Sequence, residues 1–266
     1  MTGTESVDFP RSSKYSMDWL KSCVSGGANA LWLAEWLTEK MPLESGMRVL
    51  DLGSGRGASS IFLNREFGVQ VWSVDLWFGV DERAQRIRDA GCHGNVFALH
   101  ADARSLPFSQ GFFDAVVCID SFMYYGTDDL FMNHLARFVN PGGLVGIANA
   151  GLTQEIDGPI PDHLARWWEP SMACLHSADW WARHWSRSGV VAVETADTMS
   201  EGWRKWLQWQ YAVAPDNSVE IEALRADQGR NLGYIRAVCR RRPDVTLDEP
   251  ITSIPVDYEH RPVLSE

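Results

Sequence analysis

Nowhere in the 266 residues does an apolar run reach membrane-spanning length, so no membrane span is expected. The opening MTGTESVDFPRSSKYSMDWL is polar and acidic where a secretory leader needs an unbroken apolar stretch. Cysteine is sparse. Cys23, Cys92, Cys118, Cys174 and Cys239 form no C-x-x-C pair and stand at no zinc-ligand spacing from a histidine, which points to reduced thiols in a cytoplasmic protein. Basic charge is short too: 24 Lys and Arg against 35 Asp and Glu leave a formal net charge of −11. Such a chain repels a polyphosphate backbone, so no nucleic-acid partner is expected, and a small neutral or cationic substrate is easier to accommodate. Repeats and low-complexity segments are missing as well. Tryptophan, by contrast, is abundant, with 13 residues that need an explanation.

The length suits a single α/β domain with one sizeable insertion. Residues up to about Ser13 read as loose, and Met17 to Glu39 as one or two helices broken at Gly26-Gly27. From there strands alternate with helices. Strands are expected at 47–52, 69–75, 96–100, 115–119 and 144–148, with helices at 59–67, 81–90 and 128–139, the last capped by Thr127 or Asp128. The later strands are placed at 190–195 and 232–239. This alternation implies a doubly wound, mostly parallel sheet with its ligand site at the carboxyl ends of the strands. The divisions read as an N-terminal helical cap (1–46), a core (47–150), a Trp-rich lid insertion (151–189), strands and helices completing the sheet (190–241) and an extended tail (242–266).

The first strand runs into Asp51-Leu52-Gly53-Ser54-Gly55-Arg56-Gly57 and then directly into a helix. Glycines there let the backbone turn sharply and approach a ligand, and a helix N-terminus offers free N–H groups. Gly53 to Ala58 also satisfies a looser dinucleotide pattern, and Asp75 suits a ribose in either case. Asp51 before the first glycine, His100-Ala101-Asp102-Ala103 followed by Leu106-Pro107-Phe108, Phe113 to Cys118, and Phe138 to Leu144 together resemble the class I, Rossmann-like S-adenosylmethionine-dependent methyltransferases, nearest the small-molecule branch of ubiquinone- and sterol-type enzymes. The resemblance spans roughly 47–150. It implies a seven-stranded sheet ordered 3-2-1-4-5-7-6 with the last strand antiparallel. It also implies that Gly53 and Gly55 lie along the methionine part of the cofactor, that Asp75 holds the ribose, and that Asp102 and Ala103 meet the adenine. Asp51, Leu76, Asp120, Tyr15 and Gly27 complete the expected cofactor set. Trp72, Trp77 and Phe78 flank Asp75, either over the adenine or as sheet packing.

Methyl transfer needs the acceptor held in line with the sulfonium, and a base only where the acceptor loses a proton. Asp120, just past the fourth strand, is the first candidate for base or acceptor-orienting group, with a loop anchor as its other reading. Tyr124 and His176 are weaker candidates, while His134 reads as a surface residue. Ala148-Asn149-Ala150-Gly151 offers no carboxylate beside Asn149, so no metal is expected. The tryptophans after Ala150 either line an aromatic cage or pack the insertion onto the sheet. The small-molecule methyltransferase reading stands first, against a nicotinamide-dependent oxidoreductase and an inert cofactor-binding protein.

Overall fold

Strands form where β-branched and aromatic residues cluster. The computed structural model describes residues 9–247. In it β1 (Arg48–Leu52), β2 (Gln70–Asp75), β3 (Val96–His100), β4 (Phe113–Ile119), β5 (Val139–Leu152), β6 (Val191–Thr198) and β7 (Leu232–Arg241) make one sheet, ordered β3-β2-β1-β4-β5-β7-β6. Strands β1 to β5 pair in parallel, and β7 runs antiparallel to both of its neighbours. Order and direction match the expectation. Central parallel strands covered on both faces carry unbroken apolar runs, as Ala115 to Cys118 do, all fully buried.

The helices are α1 (Met17–Ser22), α2 (Ala30–Thr38), α3 (Ala58–Phe67), α4 (Val80–Asp89), α5 (Phe131–Ala136), α6 (Ala178–Arg187), α7 (Gly202–Val213) and α8 (Ser218–Asp227). Among the described residues, none is long and apolar enough to cross a membrane. Asn29 caps α2 by accepting from the Leu31 and Trp32 amides, and Ser177 caps α6 through the Trp180 amide. Helix α2 is buried from Leu31 to Thr38 and lies against α3 and β5. Its Glu35 accepts the Arg11 and Ser12 amides and the Ser12 hydroxyl.

Several boundaries differ from the sequence reading. Residues 9–13 are not loose: Phe9 and Ser12 are buried, and Phe9 stacks on Trp32 with centroids 5.9 Å apart. The expected looseness of 1–8 and the tail beyond 247 lie outside the described residues. Helix α5 is six residues long, not the twelve of 128–139. Asp128 does not cap it, since its Oδ1 accepts from the Leu130 amide in a turn. Val139 leaves the helical period because it pairs with Phe113 in the sheet. Consequently β5 runs well beyond 144–148 at both ends and absorbs Pro141-Gly142-Gly143. Inside 151–189, α6 packs on β6 and buries Trp181 and Trp185 edge-on to Phe122, at 5.5 and 5.7 Å.

Candidate active site

The glycine loop connects β1 to α3 at the carboxyl edge of the sheet. Gly53 has φ 77°, and a Cβ there would collide with Ser121 Oγ, so only glycine fits. Every loop amide is engaged within the protein. Gly53 and Ser54 N–H donate to the Val74 carbonyl at 2.8 and 2.9 Å, Gly57 N–H to the Ser54 carbonyl at 2.9 Å, Gly55 N–H to Asp75 Oδ2 at 2.8 Å, and Arg56 N–H to Ser25 Oγ at 3.1 Å.

Asp75 is buried, and its Oδ1 accepts from the Trp77 and Phe78 amides, both at 2.8 Å. Three N–H donors leave the carboxylate room for a further hydrogen bond from a ligand. Asp102 Oδ1 accepts from the Arg104 amide at 2.8 Å. Beside it Ala103 is held by His134, which is buried and whose Nε2 lies 3.2 Å from the Ala103 carbonyl, not on the surface as expected. Asp51 lies beneath the loop, where its Oδ2 accepts from Ser59 and Ser60 Oγ while Oδ1 has no partner. Burial pushes its carboxyl up to about 6, against the pull of the two serines.

Arg83, fully buried on α4, was missed by the sequence reading. Its guanidinium donates to the carbonyls of Gly55 (3.1 Å) in the glycine loop, Phe78 (3.3 Å) just past β2 and Leu99 (2.7 Å) in β3, shortly before Asp102. Burial lowers its pKa, and the charges of Asp75 and Asp51 oppose that shift. Arginine at a position one helical turn before buried Ile87 was the available signal.

Two contiguous cavities share Gly53, Asp75, Trp77, Ser121 and Tyr124 and make one cleft. The outer cavity is lined by Asp75, Leu76, Trp77, Asp102 and Ala103. Leu76 and Trp77 are exposed at its rim, and Trp77 leans on Tyr124 at 5.2 Å. Trp72 is elsewhere, packed among Phe97, Phe112 and Phe113, while Phe78 lines the inner cavity. That inner cavity runs from the glycine loop to Asp120, Tyr124 and Trp209 and is roofed by the strap 23–28.

Asp120 has φ 51°, a left-handed conformation that aims its carboxylate at two amides: Oδ2 accepts from Ala28 at 2.7 Å and Oδ1 from Ala150 at 3.0 Å. Burial raises its pKa against the lowering effect of those two bonds. The strap is further held by Arg86 on Ser22, at 3.0 Å to both its hydroxyl and its carbonyl, and by Arg56 Nε on the Val24 carbonyl at 3.0 Å. Gly27, with φ 62°, passes so close to Asp120 that a Cβ would collide with Oδ2. Besides Asp51, two expected residues are not brought to the cleft. Tyr15 packs on Phe62 and donates to Glu66 at 3.3 Å, and His176 pairs with Glu155 at 3.0 Å and stacks on Trp180 at 3.7 Å. No residue of 151–189 lines either cavity. Trp167 stands one layer behind, against Trp206.

Residues 49–143 match the family model described as "Methyltransferase domain". This stretch of the chain is similar to a methyltransferase domain. Over 126 residues it is 31% identical to "Methyltransferase GfsG" of Streptomyces halstedii, an alignment covering 47% of this chain and 45% of that protein. To the "Ubiquinone/menaquinone biosynthesis C-methyltransferase UbiE" of Vibrio campbellii it is 31% identical over 153 residues, 56% of each chain. The chain thus spans about half the length of the curated relatives it matches. Among solved structures the fold resembles that of the "[4+2]-Cyclase SpnF", with TM-score 0.64 and 21% identity over 79% of this chain and 80% of that one. The domain accounts for β1 to β4, the start of β5 and the glycine loop. The strap and α7 lie outside the matched residues.

Proposed function

We propose that this protein transfers the methyl group of S-adenosylmethionine to a small-molecule acceptor by in-line displacement, without a metal. The observation that carries the reading is the state of the glycine loop. All five of its amides are already bonded inside the protein, so no cluster of free N–H groups awaits a pyrophosphate, as a dinucleotide cofactor would require. A cofactor with a ribose, an adenine and an amino-acid head but no phosphate suits what is there. Asp75 keeps hydrogen-bonding capacity for ribose hydroxyls, Asp102 and Ala103 stand where adenine would lie, and the unpartnered Asp51 Oδ1 adds negative potential beneath the methionine end.

When bound, this cofactor supplies a methyl carbon on a sulfonium: an acceptor lone pair forms the new bond as the S–C bond breaks, and its electrons stay on sulfur as S-adenosylhomocysteine. The chain's own part is to orient and to exclude water. Asp120 fastens the strap over the inner cavity, and each of its oxygens keeps a lone pair for a proton leaving the acceptor. Tyr124 borders the acceptor at the junction of the two cavities. Among the described residues no three His, Cys, Asp or Glu converge on a point that could hold a metal ion. The division into cap, core, 151–189 cover and C-terminal strands is part of this reading, with 151–189 backing the α7 wall. Five unpaired thiols support a cytoplasmic location.

Calorimetry with S-adenosylhomocysteine and with NADH decides between the two cofactors. Binding of the first alone is expected, and binding of NADH alone would overturn the proposal.

A further inference from the structure

We propose that Trp77 and Tyr124 hold the positively charged sulfonium of the methyl donor against their ring faces, a hold that lasts only while the sulfur carries its charge. The inference rests on the methyl-transfer reading and adds a specificity-determining pair to the same site.

With the ribose at Asp75, the adenine toward Asp102 in the outer cavity and the methionine chain along the glycine loop in the inner one, the sulfur that joins ribose to methionine falls where the two cavities meet. Gly53, Asp75, Trp77, Ser121 and Tyr124 are shared by both cavities, and of these only Trp77 and Tyr124 bring aromatic faces. Trp77 comes from the loop after β2 and Tyr124 from the loop after β4. Their rings meet with centroids 5.2 Å apart and an interplanar angle of 50°. The Trp77 amide is fixed on Asp75 Oδ1 at 2.8 Å, which keeps the indole beside the carboxylate assigned to the ribose.

Trp77 is 72% exposed and Tyr124 49%, and two large rings left in water side by side at a cleft mark a surface that a ligand covers. Aromatic faces attract cations. Elsewhere the protein supplies its own: Arg236 stands over Trp36 at 4.4 Å, Arg48 over Phe112 at 4.8 Å and Arg56 over Phe78 at 5.0 Å. Among the described residues no lysine or arginine stands over Trp77 or Tyr124. The shared residues include no lysine, arginine or histidine either, whereas Asp75 is one of them and Asp120 adjoins Tyr124 in the inner cavity. Burial raises the pKa of Tyr124 and the charge of Asp120 adds to the rise, so its ring stays that of a neutral phenol. The site therefore offers two ring faces and two carboxylates to a cation that the chain does not provide. Because the charge leaves sulfur as the methyl is transferred, this hold strengthens donor binding and lapses with the product. It lowers no chemical barrier, since it favours the charged ground state.

The test is calorimetry on the full chain with S-adenosylmethionine and with S-adenosylhomocysteine, which share adenine, ribose and amino-acid head and differ in a methyl and its charge. Trp77→Leu and Tyr124→Leu keep apolar bulk and remove the ring face. Each is expected to weaken S-adenosylmethionine binding about 3- to 10-fold while leaving S-adenosylhomocysteine affinity nearly unchanged. Trp77→Phe and Tyr124→Phe are expected to restore most of the ratio between the two ligands. Trp77 is exposed enough for its variants to fold, so they decide the matter even if those of Tyr124 do not. Equal weakening of both ligands would make Trp77 a cover for the adenine and overturn the inference, as would a ratio unmoved by the leucines or left unrestored by phenylalanine. A wild-type chain that binds neither ligand refutes the methyl-donor reading and the inference with it, whereas binding of both with an unmoved ratio removes the inference alone.

Discussion

Asp75 and Arg83 do complementary work around the same loops: the carboxylate gathers three amides and the guanidinium three carbonyls. Asp75→Ala is expected to weaken S-adenosylhomocysteine binding by about 1.5–3 kcal/mol per charge-assisted bond removed, as measured by calorimetry, and wild-type affinity in a folded variant would refute the ribose assignment. Arg83→Met leaves two buried carboxylates without their counter-charge and is expected to cost about 3–5 kcal/mol of stability in urea denaturation. Asp51 behaves oppositely to a paired acid. Its folded-state pKa, pushed up to about 6 by burial, lies above the unfolded value of 3.8. Stability from it is therefore full below the unfolded value and lost as pH rises through about 6, a difference of about 3 kcal/mol. Urea midpoints at about pH 5 and about pH 7.5 should show about half of that loss in the wild type, the rest having occurred below pH 5, and a smaller one in Asp51→Asn. Asp51, Asp75 and Asp102 were legible in the sequence because each stands at or just past the carboxyl end of a strand. Arg83 was not, because a charged residue on a helix declares its partners only once distant segments have folded around it.

At the level of elements, local signals placed β3 to the residue and β1, α3 and β2 to within one, since glycines and β-branched runs bound them sharply. They misjudged α5 because Phe138 and Val139 continue its apolar period while sheet pairing claims Val139 for β5. The tryptophans divide by burial. Trp185→Ala, which empties a fully buried site against Phe122, is expected to cost about 3–5 kcal/mol in thermal or urea unfolding. Trp77→Ala, at a rim position 72% exposed, is expected to change stability by less than about 0.5 kcal/mol. The strap is an element in its own right. Gly27→Val is expected to displace it from Asp120, to lower the unfolding midpoint because a β-branched residue is strained at φ 62°, and to raise the S-adenosylhomocysteine dissociation constant of the folded protein, and unaltered affinity would show the strap to be mere packing.

Across the whole molecule the sheet was readable from the alternation of strands and helices and from the family resemblance, but the walls of the cleft were not, since they join residues about 90 and 180 positions apart around Asp120 and Trp209. Asp227 contributes at the acid end of the stability curve. Burial would raise its pKa, but His163 at 2.9 Å, the Leu232 amide and Asn231 outweigh it, and the net shift is downward. Its contribution is present above the unfolded pKa of 3.8 and is lost as pH falls below it, so Asp227→Asn should flatten acid unfolding followed by circular dichroism. The strap, moored to α4 and the glycine loop on one bank and to Asp120 on the other, has a further consequence for the order of events in a catalytic cycle. With it down, Gly27 and Ala28 wall the inner cavity, and with it up that wall is lost. Turnover should then be compulsorily sequential, methyl donor first and spent donor last, with a pre-steady-state burst of methylated product and a slower steady rate set by the unfastening of the strap.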